Sequence, residues 1–88
     1  MNVLFSEKFS KDIGKILEED LLERIALVIE DLENAPKLSL VANVRKMSGY
    51  SGYFRIRIGD YRLGIYVDKN DVHIHRFAHR KRIYDIFP

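Results

Sequence analysis

The apolar positions of this chain change period near its middle. In the first third they recur at helical spacing. Phe9, Ile13, Ile16 and Leu17 follow one another at helix-face intervals behind Ser6, a residue type suited to capping a helix N-terminus. Gly14 falls inside that helix and weakens it by roughly 1 kcal/mol relative to alanine. Leu21, Leu22, Ile25, Val28, Ile29 and Leu32 continue a second amphipathic pattern, with Asp20 and Glu23 at capping-box spacing ahead of it. Asn34-Ala35-Pro36 closes it, because proline cannot continue a helix and biases the preceding residue to extended geometry. Two antiparallel helices are thus predicted within residues 6–34, preceded by a short apolar strand at Asn2–Phe5.

From residue 53 the period becomes two. In Tyr53–Ile58 the side chains of Phe54, Ile56 and Ile58 share one face, and Tyr53, Arg55 and Arg57 the other. Gly59-Asp60 supplies a turn of hairpin length. Tyr61–Val67 alternates again, with Leu63, Ile65 and Val67 opposed to Arg62, Gly64 and Tyr66. Asp68-Lys69-Asn70-Asp71 is a polar turn and Val72–Ala78 the last long strand. Between the two regimes, Leu38, Leu40, Val41 and Val44 are compatible with a loop or a short strand, and Lys46–Gly52 reads as a loop. The tail Arg80–Pro88 is compatible with a helical turn or an extended cap.

Helices grouped before strands are the pattern of an α+β domain. The expectation is two N-terminal helices packed on one face of a mostly antiparallel four-stranded sheet, in a single domain over residues 1–88. With the helices over Phe54, Ile56, Ile58, Leu63 and Ile65, the side chains of Arg55, Arg57 and Arg62 are left together on the open face.

Composition narrows the picture. An 88-residue chain with 47% hydrophobic residues suffices for one small core. The absence of cysteine excludes a disulfide framework and a thiolate metal site, and is compatible with a reducing, cytoplasmic setting. The N-terminus has no basic segment followed by a long apolar run, so no signal peptide is expected, and no apolar stretch has the length of a membrane span. The formal charge of +2 conceals a division. Residues 1–35 hold four Lys/Arg against nine Asp/Glu, a balance of −5, whereas residues 36–88 hold eleven against four, a balance of +7. A basic half of this kind suits a polyanion or is simply a solvated face.

The arginines favour the first meaning. Like charges facing each other across strands cost tenths to about 1 kcal/mol, and Asp60 and Asp68 are the only carboxylates near Arg55, Arg57 and Arg62 in sequence. Guanidinium pairs bidentately with phosphate and stays protonated. Lys46, Arg76, Lys81 and Arg82 extend the basic surface and are candidate RNA-binding residues. Tyr53, Tyr61, Tyr66 and Tyr84 are interleaved with them, as stacking on single-stranded RNA requires, although half-buried strand tyrosines leave the same signature. His73, His75 and His79 invite a metal, but neither cysteine nor a placed carboxylate completes a ligand set. No metal and no cofactor are therefore expected.

Two runs carry a resemblance. Met47 to Arg62, with Gly52-Tyr53-Phe54-Arg55-Ile56-Arg57-Ile58-Gly59-Asp60-Tyr61-Arg62 at its heart, is similar to the G-x-x-R-I-R-x-G-D-Y-R pattern of the RelE/ParE toxin superfamily. Arg76-Phe77-Ala78-His79-Arg80-Lys81-Arg82-Ile83-Tyr84 is similar to that family's R-x-x-H-R-K-x-x-Y ending. Both stand in the right order behind two helices, and the likeness spans essentially the whole chain. It implies a β-α-α-β-β-β toxin of a type II toxin–antitoxin system, held by a cognate antitoxin, cleaving mRNA at the ribosomal A site, and meeting operator DNA only through the antitoxin complex. By position it implies roles for Arg55 and Arg57, for Arg62, for Arg80 and for Tyr84. The sequence departs from the family twice. The paired positions often hold lysine, a candidate general base, and arginine cannot serve as one. Arg82 stands where the family commonly has an acid.

The implied chemistry is metal-free attack of a ribose 2′-hydroxyl on the adjacent phosphate. Arg55, Arg57 and Arg62 would cradle the phosphate and Arg80 would stabilise charge near the leaving oxygen. Tyr84 and His79 are the candidates for proton transfer or for orienting the 2′-hydroxyl, histidine being the residue type that titrates near neutrality. The alternatives are a gyrase inhibitor of the same superfamily without nuclease activity, and a non-catalytic RNA-binding module.

Overall fold

The computed structural model describes residues 1–88. The chain runs β1 (Asn2–Phe5), α1 (Glu7–Gly14), α2 (Glu19–Asn34), a 3-10 turn at Leu38–Leu40, β2 (Val44–Lys46), β3 (Tyr53–Ile58), β4 (Tyr61–Asp68), β5 (Asp71–His79) and α3 (Ile83–Ile86). The sheet has five strands rather than four, in the order β1-β5-β4-β3-β2. It is mixed, because β1 lies parallel to β5 while the other three pairings are antiparallel. The extra strand is β2, whose three residues are too few for periodicity to reveal.

Ser6 caps α1 as its residue type predicts. Its Oγ accepts from the Phe9 N–H at 3.0 Å and donates to the His75 carbonyl at 2.7 Å, which also ties the helix start to β5. The helix is shorter than its apolar pattern: it stops at Gly14, Ile16 is half-buried, and Leu17 is 89% exposed. Asp20 is not a cap. Glu18 occupies the cap position of α2 without a side-chain bond, and Glu19 and Asp20 sit in the first turn, where acidic charge suits the helix dipole. Phe9, Leu21, Ile25 and Leu32 then meet Ile56, Leu63, Ile65 and Ile74 in one core on the helix side of the sheet.

Two hairpins position the rest. Gly59 adopts φ +60° at the first position of the β3–β4 turn, the glycine conformation of a two-residue type II′ loop. In the β4–β5 ladder Gly64 pairs with Arg76 but Ile65 pairs with Ile74, so β5 carries a bulge at His75. The bulge reverses the alternation beyond it. Ile74 and Phe77 both enter the helix-side core, and Ala78 comes to the open face.

β1 pairs with β5 only as far as Ile74. Past that point α1 closes the edge. Asp12 accepts from Arg76 Nε at 2.9 Å, Arg76 Nη2 at 3.0 Å and the Phe77 N–H at 2.9 Å. Burial opposes the charged carboxylate, but the Arg76 and Phe77 hydrogen bonds and the attraction of Arg76 and Lys15 outweigh it and hold Asp12 below the usual carboxylate range. It is the one ion pair in the molecule.

Candidate nucleic-acid interface

The tail answers the question the sequence leaves open. It forms a helical turn, α3, laid back across the open face of the sheet. Ile83 and Phe87, 0% and 3% exposed, pack with Met47 against Tyr53 and Ala78 as a second small core. Gly64 makes the seat: a Cβ there would lie 2.6–2.8 Å from Phe87 ring atoms. Anchored on both sides, Tyr84 is held outward, and the Arg55 guanidinium carbon lies 4.4 Å from its ring centroid, a cation–π contact.

Arg55 and Arg57 alternate outward from β3. Their partners across the ladders are also arginines: Arg45 of β2 opposes Arg55, and Arg62 of β4 opposes Arg57. Together with Asn43, Val44 and Tyr84 these four arginines line a cleft of about 390 Å³. No carboxylate lines it. The guanidiniums are steadied by neutral groups instead. Arg62 Nη1 donates to the carbonyls of Gly59 and Tyr61 at 2.9 and 2.8 Å, and Arg57 Nη2 reaches Asn43 Oδ1 at 3.4 Å. Asn43 holds φ +64°, a left-handed conformation that asparagine tolerates, and its carbonyl accepts from the Arg57 N–H. Four like charges, three of them with neutral partners, suit an anion with several oxygens, and the ring above Arg55 offers a face for a planar group.

The comparisons agree on a family. The model of the ParE toxin of the type II toxin–antitoxin system parDE matches residues 3–84. Toxin RelE3 of Methanocaldococcus jannaschii is 43% identical over 89 aligned positions that cover all of both chains. The chain belongs to the RelE/ParE superfamily of type II toxins. Solved structures place its fold beside those of RelE-type toxins. The RelB-RelE antitoxin–toxin complex from Methanococcus jannaschii matches with a TM-score of 0.82 and 40% identity, covering 97% of this chain and 99% of that one. The RelBE2 toxin–antitoxin complex from Mycobacterium tuberculosis matches at 0.70 and 26%, covering 90% of each. The α+β, RelE-like class expected from the sequence therefore stands, with five strands and a third helix.

Not every residue singled out in this RelE/ParE chain reaches the cleft. Arg55, Arg57, Arg62 and Tyr84 do. Lys46 opposes Phe54, so its side chain leaves on the helix-covered face. Arg76 is committed to Asp12 at the β5 edge, with its side chain 19% exposed. His79 lies past the bulge. It meets Tyr61 edge-on on the helix side and accepts from the Lys81 N–H at 3.2 Å, and with Arg76 and Arg82 it borders a separate cleft of about 170 Å³. Tyr61 is likewise on the helix side, stacked on Phe77. Arg80 and Lys81 are exposed and line neither cleft, although the Arg80 N–H bonds to the Asp60 carbonyl beside the β3–β4 turn. The sequence reading missed Arg45 and Asn43. Recognising Val44–Lys46 as a strand would have found Arg45, since alternation from Val44 in the core turns it outward.

Proposed function

We propose that this chain is the toxin of a type II toxin–antitoxin pair and cleaves mRNA as a metal-independent endoribonuclease on the ribosome. The observation that carries the reading is the cleft in which Arg45, Arg55, Arg57 and Arg62 converge under Tyr84 without a carboxylate. In the proposed reaction the 2′-oxygen attacks phosphorus in line. The P–O5′ bond breaks, leaving a 2′,3′-cyclic phosphate and a 5′-hydroxyl, and the proton of the 2′-hydroxyl is passed to solvent or to the leaving oxygen. The guanidiniums bind the phosphate and stabilise charge that develops on it, worth a hundred- to thousand-fold per well-placed donor. Tyr84 stacks on a base or orients the 2′-hydroxyl. Arg80, which lines neither cleft, would assist the leaving group once bound RNA draws its side chain in. His79, Lys81 and Arg82 remain candidates for contacts with RNA beyond the cleft.

The cleft's lining offers neither lysine nor histidine as a base. The reading therefore expects the ribosome to orient the attacking hydroxyl and naked RNA to be cut poorly. A cognate antitoxin of the RelB type, acting in the cytoplasm and linking the toxin to operator DNA, is the proposed partner. The relatives crystallised with RelB-type antitoxins support it.

The test is induction in a bacterial host with mRNA ends mapped at nucleotide resolution, repeated for Arg57→Ala, Arg62→Ala and Tyr84→Phe, and cleavage of naked against ribosome-bound mRNA in vitro. Cuts within translated codons, lost in the arginine variants, are expected. The ParE name of the matching family model favours one competitor, gyrase inhibition. Growth arrest with DNA-damage signalling and intact mRNA would decide for that competitor.

A further inference from the structure

The open face carries a second group of side chains that phosphate binding leaves unused. Tyr53, Tyr66 and His73 are direct neighbours across β3, β4 and β5, and His75 stands beside them at the bulge. Ring centroids are 4.8 Å apart for Tyr53–Tyr66, 5.9 Å for Tyr66–His73 and 6.3 Å for Tyr66–His75. All four residues are half-buried, and no polar side-chain atom among them is buried without a partner. The arrangement is built into the backbone. Gly52 has φ +82°, and a Cβ there would lie 2.8 Å from the Tyr66 ring. Burial and the neighbouring His73 push the His75 imidazole below its ordinary range.

This platform shares the open face of the sheet with the arginine cleft. Tyr53, Arg55 and Arg57 are successive outward positions of β3, so the tyrosine row lies about 13 Å along the strand from the Arg57–Arg62 row. Phe87, seated between the two, packs against both Tyr53 and His75 at 5.7 and 6.0 Å. A single strand held by its phosphate in the cleft brings its next nucleotides over these rings. Aromatic rings beside a basic cleft complement the two parts of such a strand, bases and backbone.

We propose that Tyr53, Tyr66, His73 and His75 form a base-stacking subsite for nucleobases of single-stranded RNA flanking the phosphate in the arginine cleft. The inference rests on the RNA reading above. Stacking requires only the π-face that every base has, so the subsite lends affinity without strong sequence preference.

The test uses 2′-O-methyl oligoribonucleotides, which lack the attacking hydroxyl, with 2-aminopurine placed at successive positions. Wild-type protein should quench the fluorophore at positions on one side of the cleft-bound phosphate. Tyr66→Leu should weaken binding roughly 5- to 150-fold and abolish that quenching, and Tyr66→Phe should restore both. Neither should change the slope of log affinity against log salt, because no phosphate contact is lost, whereas Arg57→Ala should lower it by about 0.7. His73→Leu, remote from the tail anchor, provides a second variant whose fold is checked by thermal unfolding. Unchanged affinity and quenching in folded Tyr66→Leu and His73→Leu, with Arg57→Ala still impaired, would overturn the subsite, leave the nuclease reading intact and assign the platform to a protein partner. Absence of RNA binding by the wild type would overturn both.

Discussion

Gly64→Ala tests whether the tail builds the site. The added methyl would sit 2.6–2.8 Å from the Cγ and Cδ atoms of Phe87, at the fixed base of the ring rather than at a flexible tip. Either the ring shifts or the tail lifts. Lifting it exposes Phe87 and Ile83, each worth about 1.5–3 kcal/mol when fully buried, so complete release costs about 3–6 kcal/mol. Overpacking with the tail displaced but still docked costs about 1–3 kcal/mol and is the cheaper response. Alanine recovers about 0.4–1 kcal/mol by restricting the unfolded chain. The net loss is then about 1–2 kcal/mol, a fall in Tm of roughly 4–16 °C for a domain this size. Opening of the tail becomes roughly 5–30 times more populated, which hydrogen exchange reads at the Phe87 N–H bonded to the Ile83 carbonyl. Tyr84 moves with the tail, and a displacement near 1 Å should lower mRNA cleavage about a hundredfold. Unchanged Tm and unchanged exchange at Phe87 would show that Gly64 is not the seat of the tail. A destabilised tail with full cleavage would remove Tyr84 from the site.

Three further outcomes follow from the charges. Asp12→Asn should lower stability by about 1.5–3 kcal/mol at neutral pH by stranding Arg76. Because the folded Asp12 titrates below its ordinary value of 3.8, the wild-type advantage should be full above that value and close as pH falls through the folded one; a pH-independent gap in urea unfolding would contradict the pair. Arg57→Gln relieves the opposition to Arg62 and should raise Tm by a few degrees while lowering cleavage, and a variant that loses both stability and activity would contradict the repulsion. Arg45→Ala should weaken RNA binding and reduce the salt slope by about 0.7, and an unaltered slope in RNA titrations at several ionic strengths would place Arg45 outside the phosphate path.

Much of the site was legible because local periodicity encodes a sheet face. Tyr53–Ile58 and Tyr61–Val67 alternate without interruption, so the outward placement of Arg55, Arg57 and Arg62 needed only the period of a strand. Arg45 escaped because β2 spans three residues, fewer than a pattern requires, and exists through its pairing with β3. Leu17 misled for the opposite reason: it keeps helical spacing after the helix has ended at Gly14. The terminal segment held Ile83, Tyr84 and Phe87 in view, but their docking depends on the bare backbone of Gly64, some twenty residues earlier.

By itself the sequence determined the class of the fold, the division of charge and the face on which three arginines stand, since each follows from residue type and nearest-neighbour spacing. Only the tertiary structure decided which basic residues share the cleft. The bulge at His75 inverts β5 and sends His79 to the helix side, Arg76 is taken by Asp12 of α1, and the bulge is defined by pairing with β4 rather than by anything within β5. The docking of Phe87 on Gly64 likewise joins residues distant in sequence and sets Tyr84 above Arg55. Alternation is a local property of a chain. The register of a bulged ladder and the landing place of a tail are properties of contacts between segments, and no single segment records them.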